Sequence, residues 1–264
     1  MKMKTKLVVI TSIYFLVVNL IILNAQVISV GEQLEYDVSY LGVSFAKVII
    51  STERFENLNG KMTVKSKAKV YSYDHVPLVN LKADLETWFD RSGLFSHQFV
   101  RNLSVRKKPW EYQKVQFNYL NSTLRNQKWV KSKLVSALAF DIKQGLKLHD
   151  PLTSFFKLRQ ITEAYKSRQF YVYLDEQDVF NTSFNFAKDK QSIGVDAVDY
   201  KVRSIYCSGH PNWKGQYGIK GSVEAWISDD AARIPLMGKI DFIVGKINIE
   251  LVKFKRNGWV PPKG

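Results

Sequence analysis

The stretch Lys61-Met62-Thr63-Val64-Lys65-Ser66-Lys67-Ala68-Lys69-Val70-Tyr71 decides the fold class. Successive side chains of an extended chain point to opposite sides. Met62, Val64, Ser66, Ala68 and Val70 therefore share one face, and Lys61, Lys65, Lys67 and Lys69 share the other. This is the pattern of a strand with one dry side and one wet side. The same period of two recurs outward in both directions, around Leu34 to Tyr40, Ala46 to Thr52, Leu81 to Phe89, Phe95 to Leu103, Tyr112 to Tyr119, Phe170 to Leu174, Tyr200 to Tyr206, Val223 to Ile227 and Ile247 to Phe254. Between these segments fall Asn59-Gly60 and Ser92-Gly93, whose glycines tolerate the positive φ of a hairpin turn. Lys188-Asp189-Lys190 and Asp229-Asp230 read as further polar turns. Many strands joined by short turns predict a mainly β protein: a single antiparallel sheet, strongly curved or rolled into an unclosed β-barrel.

Helices interrupt the pattern mid-chain. Asp150 suits an N-cap and Pro151 the first helical position, and Leu152, Phe155 and Phe156 begin an apolar stripe that Leu158 and Ile161 extend. A second, weaker helix is predicted over Lys133 to Lys143, where Leu134, Ala137, Leu138 and Ile142 recur at helical spacing.

The N-terminus gives an address. Lys2, Lys4 and Lys6 precede an apolar run from Leu7 to Leu23, and Asn24-Ala25-Gln26 places a small residue at a cleavage point. Residues 1–25 are read as a signal peptide, with an uncleaved N-terminal membrane anchor as the alternative, and residues 26–264 as a single β-rich domain in the periplasm or outside the cell. Cys207 is the single cysteine, so no intramolecular disulfide can form, and no cysteine follows the apolar run to carry the acyl anchor of a bacterial lipoprotein. The net charge is +15. Without the three lysines of the leader it remains about +12, a field that favours anionic partners. Outside the cytoplasm these are phospholipid head groups and acidic envelope glycans, and nucleic acid is not expected.

No constellation organises a catalytic centre. There is no G-x-S-x-G elbow, phosphate-binding glycine loop or H-E-x-x-H motif. His75, His97, His149 and His210 are scattered, and the C-x-x-H spacing of Cys207 and His210 lacks the further ligands that zinc requires, so neither metal nor cofactor is expected. Glu32 with Glu35, or Asp229 with Asp230, could do acid–base chemistry, but such carboxylates are more often solvated or turn-forming. The stretch from Arg101 to Lys133 interleaves cations with aromatics. Arg106, Lys107, Lys108, Trp110, Lys114 and Trp129 read either as a surface for sugar rings or lipid head groups, or as an ordinary amphipathic hairpin with Val115, Phe117 and Tyr119 as core.

Three separated segments together resemble an exported bacterial family known as domain of unknown function 3108. They are Gly31-Glu32-Gln33-Leu34-Glu35-Tyr36 with Tyr40-Leu41-Gly42; Asp150-Pro151-Leu152-Thr153-Ser154-Phe155-Phe156-Lys157-Leu158-Arg159; and Ala225-Trp226-Ile227-Ser228-Asp229-Asp230 with Arg233-Ile234-Pro235, Gly245 and Glu250-Leu251. Thr153 stands where a small residue would be more usual. The resemblance implies a β-rich envelope protein and transfers no catalytic residue. In the third segment, Trp226, Asp229, Asp230 and Arg233 read as a structural corner in which Arg233 pairs with one of the carboxylates.

These features predict a non-enzymatic exported protein that binds a lipid or other amphiphile in an apolar groove walled by Met62, Val64, Ala68, Phe155 and Phe156. A glycan-binding or surface adaptor module working through Trp110 and Trp129 is the alternative, and a hydrolase a third reading. The oligomeric state is not legible in the sequence.

Overall fold

A computed structural model describes residues 27–74, 80–174, 179–211, 219–242 and 245–264. The leader at 1–25 and His75 lie outside the described residues. Fifteen strands form one sheet: β1 Gln33–Tyr40, β2 Val43–Leu58, β3 Lys61–Ser72, β4 Leu81–Asp90, β5 Ser96–Val105, β6 Glu111–Asn118, β7 Thr123–Val130, β8 Lys133–Asp141, β9 Leu148–His149, β10 Ser167–Tyr173, β11 Val179–Ile193, β12 Val202–Pro211, β13 Ile219–Ser228, β14 Pro235–Phe242 and β15 Lys246–Lys255. The helix α1, Pro151–Ile161, lies between β9 and β10.

The strand order is β8-β7-β6-β5-β4-β3-β2-β1-β15-β14-β13-β12-β11-β10-β9. The chain starts in the middle of the sheet, winds outward to β8 at one edge, crosses to β9 at the other and winds back until β15 pairs with β1. All pairs are antiparallel except β9 with β10. The two edges are joined by only a short connection, which brings them together. Asn126 Nδ2 of β7 donates to Tyr173 Oη of β10 at 2.7 Å, and the Tyr173 ring lies 5.9 Å from those of both Phe117 and Phe140. Side chains, not a backbone ladder, therefore seal the seam, over a cluster of Phe99, Val115, Leu124, Ile142 and Leu148. The result is an unclosed barrel, with register shifts on several strands adding the local coil that so wide a sheet needs.

Three local readings change. Lys133 to Lys143 forms no helix: Lys133–Asp141 is β8, paired residue by residue with β7. Lys131 and Ser132 both adopt positive φ, 48° and 63°, and so build a tight hairpin without glycine or asparagine, which hid the turn. β8 is largely exposed on both faces, so its apolar spacing reports no burial. Lys188-Asp189-Lys190 is not a turn but a register shift inside β11. Met62 is 55 % exposed at the hairpin end of β3 and walls no groove, whereas Val64, Ser66 and Ala68 point into the core.

α1 forms where its capping residues foretell. Asp150 Oδ1 accepts from the backbone N–H groups of Leu152 and Thr153, both at 2.9 Å. Its Oδ2 accepts from the hydroxyls of Thr87, Ser96 and Thr153, each at 2.6 Å. Thr153, unusual by family pattern, thus fills a polar role in a fully buried place. Phe156 is completely buried and stacks on Phe89 at 4.9 Å, while Leu158 and Ile161 pack against the second core cluster around Phe170, Phe184 and Ile227. The helix is therefore a plug in the barrel, and Phe155 and Phe156 are packing residues of its core face and not a lid over a ligand.

Burial pushes the Asp150 carboxyl up, against the hydroxyl and N–H donors that favour its ionised form. Replacing it removes a cap and strands buried hydroxyls of two strands. Asp150→Ala is expected to lower unfolding free energy by at least about 2 kcal/mol in chemical denaturation, with Thr153→Ala costing less because it removes only one partner.

Candidate functional site

The three segments that carry the family resemblance meet at one buried point. Glu32, just before β1, receives two hydrogen bonds from Arg159 of α1, Nη1 to Oε1 at 2.7 Å and Nη2 to Oε2 at 3.0 Å. Arg159 also donates through Nε and Nη2 to the carbonyl of Ala232, and Arg256 beyond β15 pairs with Glu32 from another side. Arg159 is 0 % and Glu32 2 % exposed. Burial alone would raise the Glu32 carboxyl, but the guanidinium groups of Arg159 and Arg256 outweigh it and hold the group below its ordinary range. The cluster is saturated with internal partners and closed to solvent, so its chemistry is that of a clamp joining the barrel's first strand, its plug and the loop before β14.

The corner at Asp229, Asp230 and Arg233 is adjacent. Asp230 Oδ1 accepts from Ser228 Oγ and from the backbone N–H groups of Ala232 and Arg233, and its Oδ2 from Trp259 Nε1 at 2.7 Å. Asp229 faces outward and pairs with Lys190 and Arg203. Arg233 makes no ion pair with either carboxylate, contrary to the sequence reading: its Nη1 donates to the Gln160 carbonyl at 3.0 Å, tying the corner to the end of α1. Its backbone φ is positive, 47°. Trp226 lies on the outer face, its Nε1 bonded to Gln191 and its ring 5.1 Å from Tyr206.

The cysteine–histidine spacing dissolves in the strand. Cys207 and His210 lie on β12 at an odd separation, so Cys207 points into the core and His210 is exposed. Burial pushes the Cys207 thiol up to about 12, which leaves it without nucleophilic character at neutral pH. Among the described residues no group of His, Cys, Asp or Glu could hold a metal.

Two surfaces bear on the ligand sites expected from the sequence. The first is concave. Ladder partners share a face, so Tyr36, Val48, Val70, Ala83 and Leu103 form one inward row across β1 to β5, and Gly238, Ile249, Val38 and Ala46 another across β14 to β2. The helix packs on β3, β4, β9 and β10 nearer the other end, and Val48, Val70, Ala83, Leu103 and Ile249 stay only half-buried. Where β3 and β4 end, a cavity of about 390 Å³ is lined by Val70 and Ala83, by Lys69, Tyr71, Lys82 and Asp84 of the outer face, and by Asp74. Sequence reasoning missed Val48, Ala83 and Leu103 because it had no register by which to align them with Val70.

The second surface is convex. Tyr112 lies between Trp110 and Trp129, with centroid distances of 6.2 and 5.1 Å, and Trp110 is 42 % exposed. The exposed turn residues Arg106, Lys107 and Lys108 flank it, and Lys114 stands two residues along the same face of β6. The structure thus gathers the basic aromatic residues on one outer face, while Val115 and Phe117 turn inward as core.

Fold and surfaces define a barrel-like β protein with a helical plug. A family model for "Protein of unknown function (DUF3108)" matches residues 35–252, and the chain belongs to that family. Among solved structures, a β-barrel-like protein of DUF1849 from Brucella abortus is similar with a TM-score of 0.58 at 13 % identity, covering 87 % of this chain and 99 % of that one. Weaker likenesses, both with a TM-score of 0.37, are a protein from Bacteroides fragilis described as exported with a YmcC-like fold (8 % identity, 86 % and 96 % covered) and one from Parabacteroides distasonis described as a lipoprotein (9 %, 86 % and 96 %). No curated protein matches. Among the described residues no helix is long and apolar enough to cross a membrane.

Two predictions follow from the clamp and the corner. Because the folded Glu32 value lies below its ordinary 4.5, the pair's contribution is present above that pH and is lost as pH falls through the depressed value. Glu32→Gln should lower stability at pH 7 by about 3–5 kcal/mol, having left the buried Arg159 guanidinium without the carboxylate it faces, and should flatten the acid limb of a stability–pH profile. At the corner, Asp230→Ala should cost about 1–3 kcal/mol, whereas Asp229→Ala, whose pairs are surface ones, should cost about 1 kcal/mol or less by the same denaturation measurement.

Proposed function

We propose that this is an exported, non-enzymatic envelope protein that holds a single-chain amphiphile against the concave face of its barrel. One observation carries the reading: an apolar inward row, Val48, Val70, Ala83 and Leu103, is left half-buried where the plug ends. The tail would lie along the row, with the head group at the open end of the barrel. Export through the 1–25 leader would place the protein where such molecules are moved between membranes. The ligand site is therefore assigned to this row in place of Met62, which is exposed, and of Val64, Ala68, Phe155 and Phe156, which are packed in the core.

A second reading rests on the clustering of Trp110, Tyr112 and Trp129 beside Arg106, Lys107 and Lys108, an arrangement suited to an anionic glycan or membrane surface. The experiment separates the two. Titration with a fluorescent fatty acid should give saturable binding, weakened about tenfold or more by Ala83→Trp, which fills the groove while staying apolar. Trp110→Ala should leave this binding intact. Absence of saturable binding, or binding indifferent to Ala83→Trp in a variant with an unchanged melting profile, would overturn the amphiphile reading; retention on acidic polysaccharide lost with Trp110→Ala would favour the second.

A further inference from the structure

A different pocket lies on the outer side of the barrel, where the β2–β3 hairpin leans toward β5, β6 and β7. Its volume is about 330 Å³, and its polar wall includes Lys61, His97, Gln98, Gln116, Asn121 and Arg125. Gln98, Gln116 and Arg125 stand in one cross-strand row, so their side chains share a face and project together. No carboxylate lines the pocket, and neither Lys61 nor Arg125 has an ion-pair partner among the described residues, although acids and bases are paired along the neighbouring rows, as in Lys65 and Lys67 with Glu86. The carboxamides of Gln98, Gln116 and Asn121 are likewise without internal partners.

His97 supplies an independent observation. It is 8 % exposed, and its Nε2 is buried with no hydrogen-bond partner. Buried polar atoms are satisfied as a rule, so an orphan in the wall of a polar cavity marks a position where a ligand or water completes the bonding. Burial, with Lys61 nearby, pushes the imidazole down to about 4, so at neutral pH it is an uncharged group able to accept or donate one hydrogen bond. Leu58 and Leu120 add apolar surface of the kind that meets the C–H face of a sugar ring.

We propose that this pocket binds a small anionic sugar, a carboxylated or phosphorylated monosaccharide unit, with Lys61 and Arg125 on its charge and the carboxamides and His97 on its hydroxyls. The volume is at the lower end of small-ligand sites and suits one or two rings, not an extended chain. Carboxamides provide paired donors and acceptors for vicinal hydroxyls, and a guanidinium matches the two oxygens of a carboxylate or phosphate. The site shares no residue with the concave groove, so each can fail alone.

Calorimetric titration of the purified protein with glucuronic acid, glucose 6-phosphate, glucose and inorganic phosphate tests the assignment. One or both charged sugars should bind saturably at one site, with glucose and inorganic phosphate about tenfold weaker or more. Arg125→Gln and Lys61→Gln should each weaken binding about tenfold without moving the melting temperature, since neither side chain has an internal partner. His97→Phe, which keeps the packing on Phe95 and Tyr119, should weaken it as well. The proposal is overturned if no charged sugar binds, if glucose binds as well as glucuronic acid, if phosphate alone binds as well as its sugar ester, or if binding survives the charge variants.

Discussion

The bidentate contact between Arg159 and Glu32 is the interaction on which the rest of the molecule depends. A barrel that begins in the middle of its own sheet needs something to hold the plug against the first strand, because α1 is reached only after eight strands have wound to one edge. Arg159 does this from the last turn of the helix, reaching Glu32 ahead of β1 and the Ala232 carbonyl ahead of β14. Both ions are almost wholly out of water, so each is affordable only with the other in place. Such a pair contributes little net stability over an apolar substitute, but it defines one seating of the plug, since any other leaves a charge buried alone.

The opposite end of α1 is fixed by the same logic with a carboxylate. Asp150 caps the helix and gathers hydroxyls from β4 and β5, so the plug is anchored to the sheet at both termini. Between these anchors, Phe156 on Phe89 fills the barrel at one end. The anchors set how far along the barrel the helix extends, and thereby which inward residues remain half-buried. The groove is thus a consequence of where the plug stops, and the seam at Tyr173 allows it, because an unclosed sheet can stay wide where side chains do not fill it.

The excess positive charge is unevenly resolved. Lys47 with Glu35, and Lys65 and Lys67 with Glu86, neutralise one another across adjacent strands of the outer face, and Lys246 of β15 reaches Glu224 two strands away on β13. These exposed or half-exposed pairs contribute little to stability, and their role is to keep that face solvated and unattractive to anions. Among the described residues, cations without an ion pair include Arg106, Lys107 and Lys108 at the β5–β6 turn and Lys61 and Arg125 at the outer pocket, so both of these surfaces keep a positive field.

Local residues were sufficient for the strands, because alternation such as that from Lys61 to Tyr71 reflects which side of a sheet is dry, and that is decided two residues at a time. They were sufficient also for α1, since Asp150 and Pro151 act on the adjacent turn alone. They misled at β8, where an edge strand exposed on both faces has no burial to impress a period on its residues, and at Met62, whose face is correct but whose place at a hairpin end is not visible in the pattern. The partner of Arg159 could not be read from the chain, because Glu32 lies 127 positions away and a charged residue looks the same in sequence whether it is solvated or buried. Register is likewise a property of pairs of strands. Local patterning thus specifies a curved sheet and the capped helix α1; whether that helix fills the barrel or covers it, and which apolar and cationic side chains are left without partners, depends on the alignment of segments that meet only when the sheet is complete.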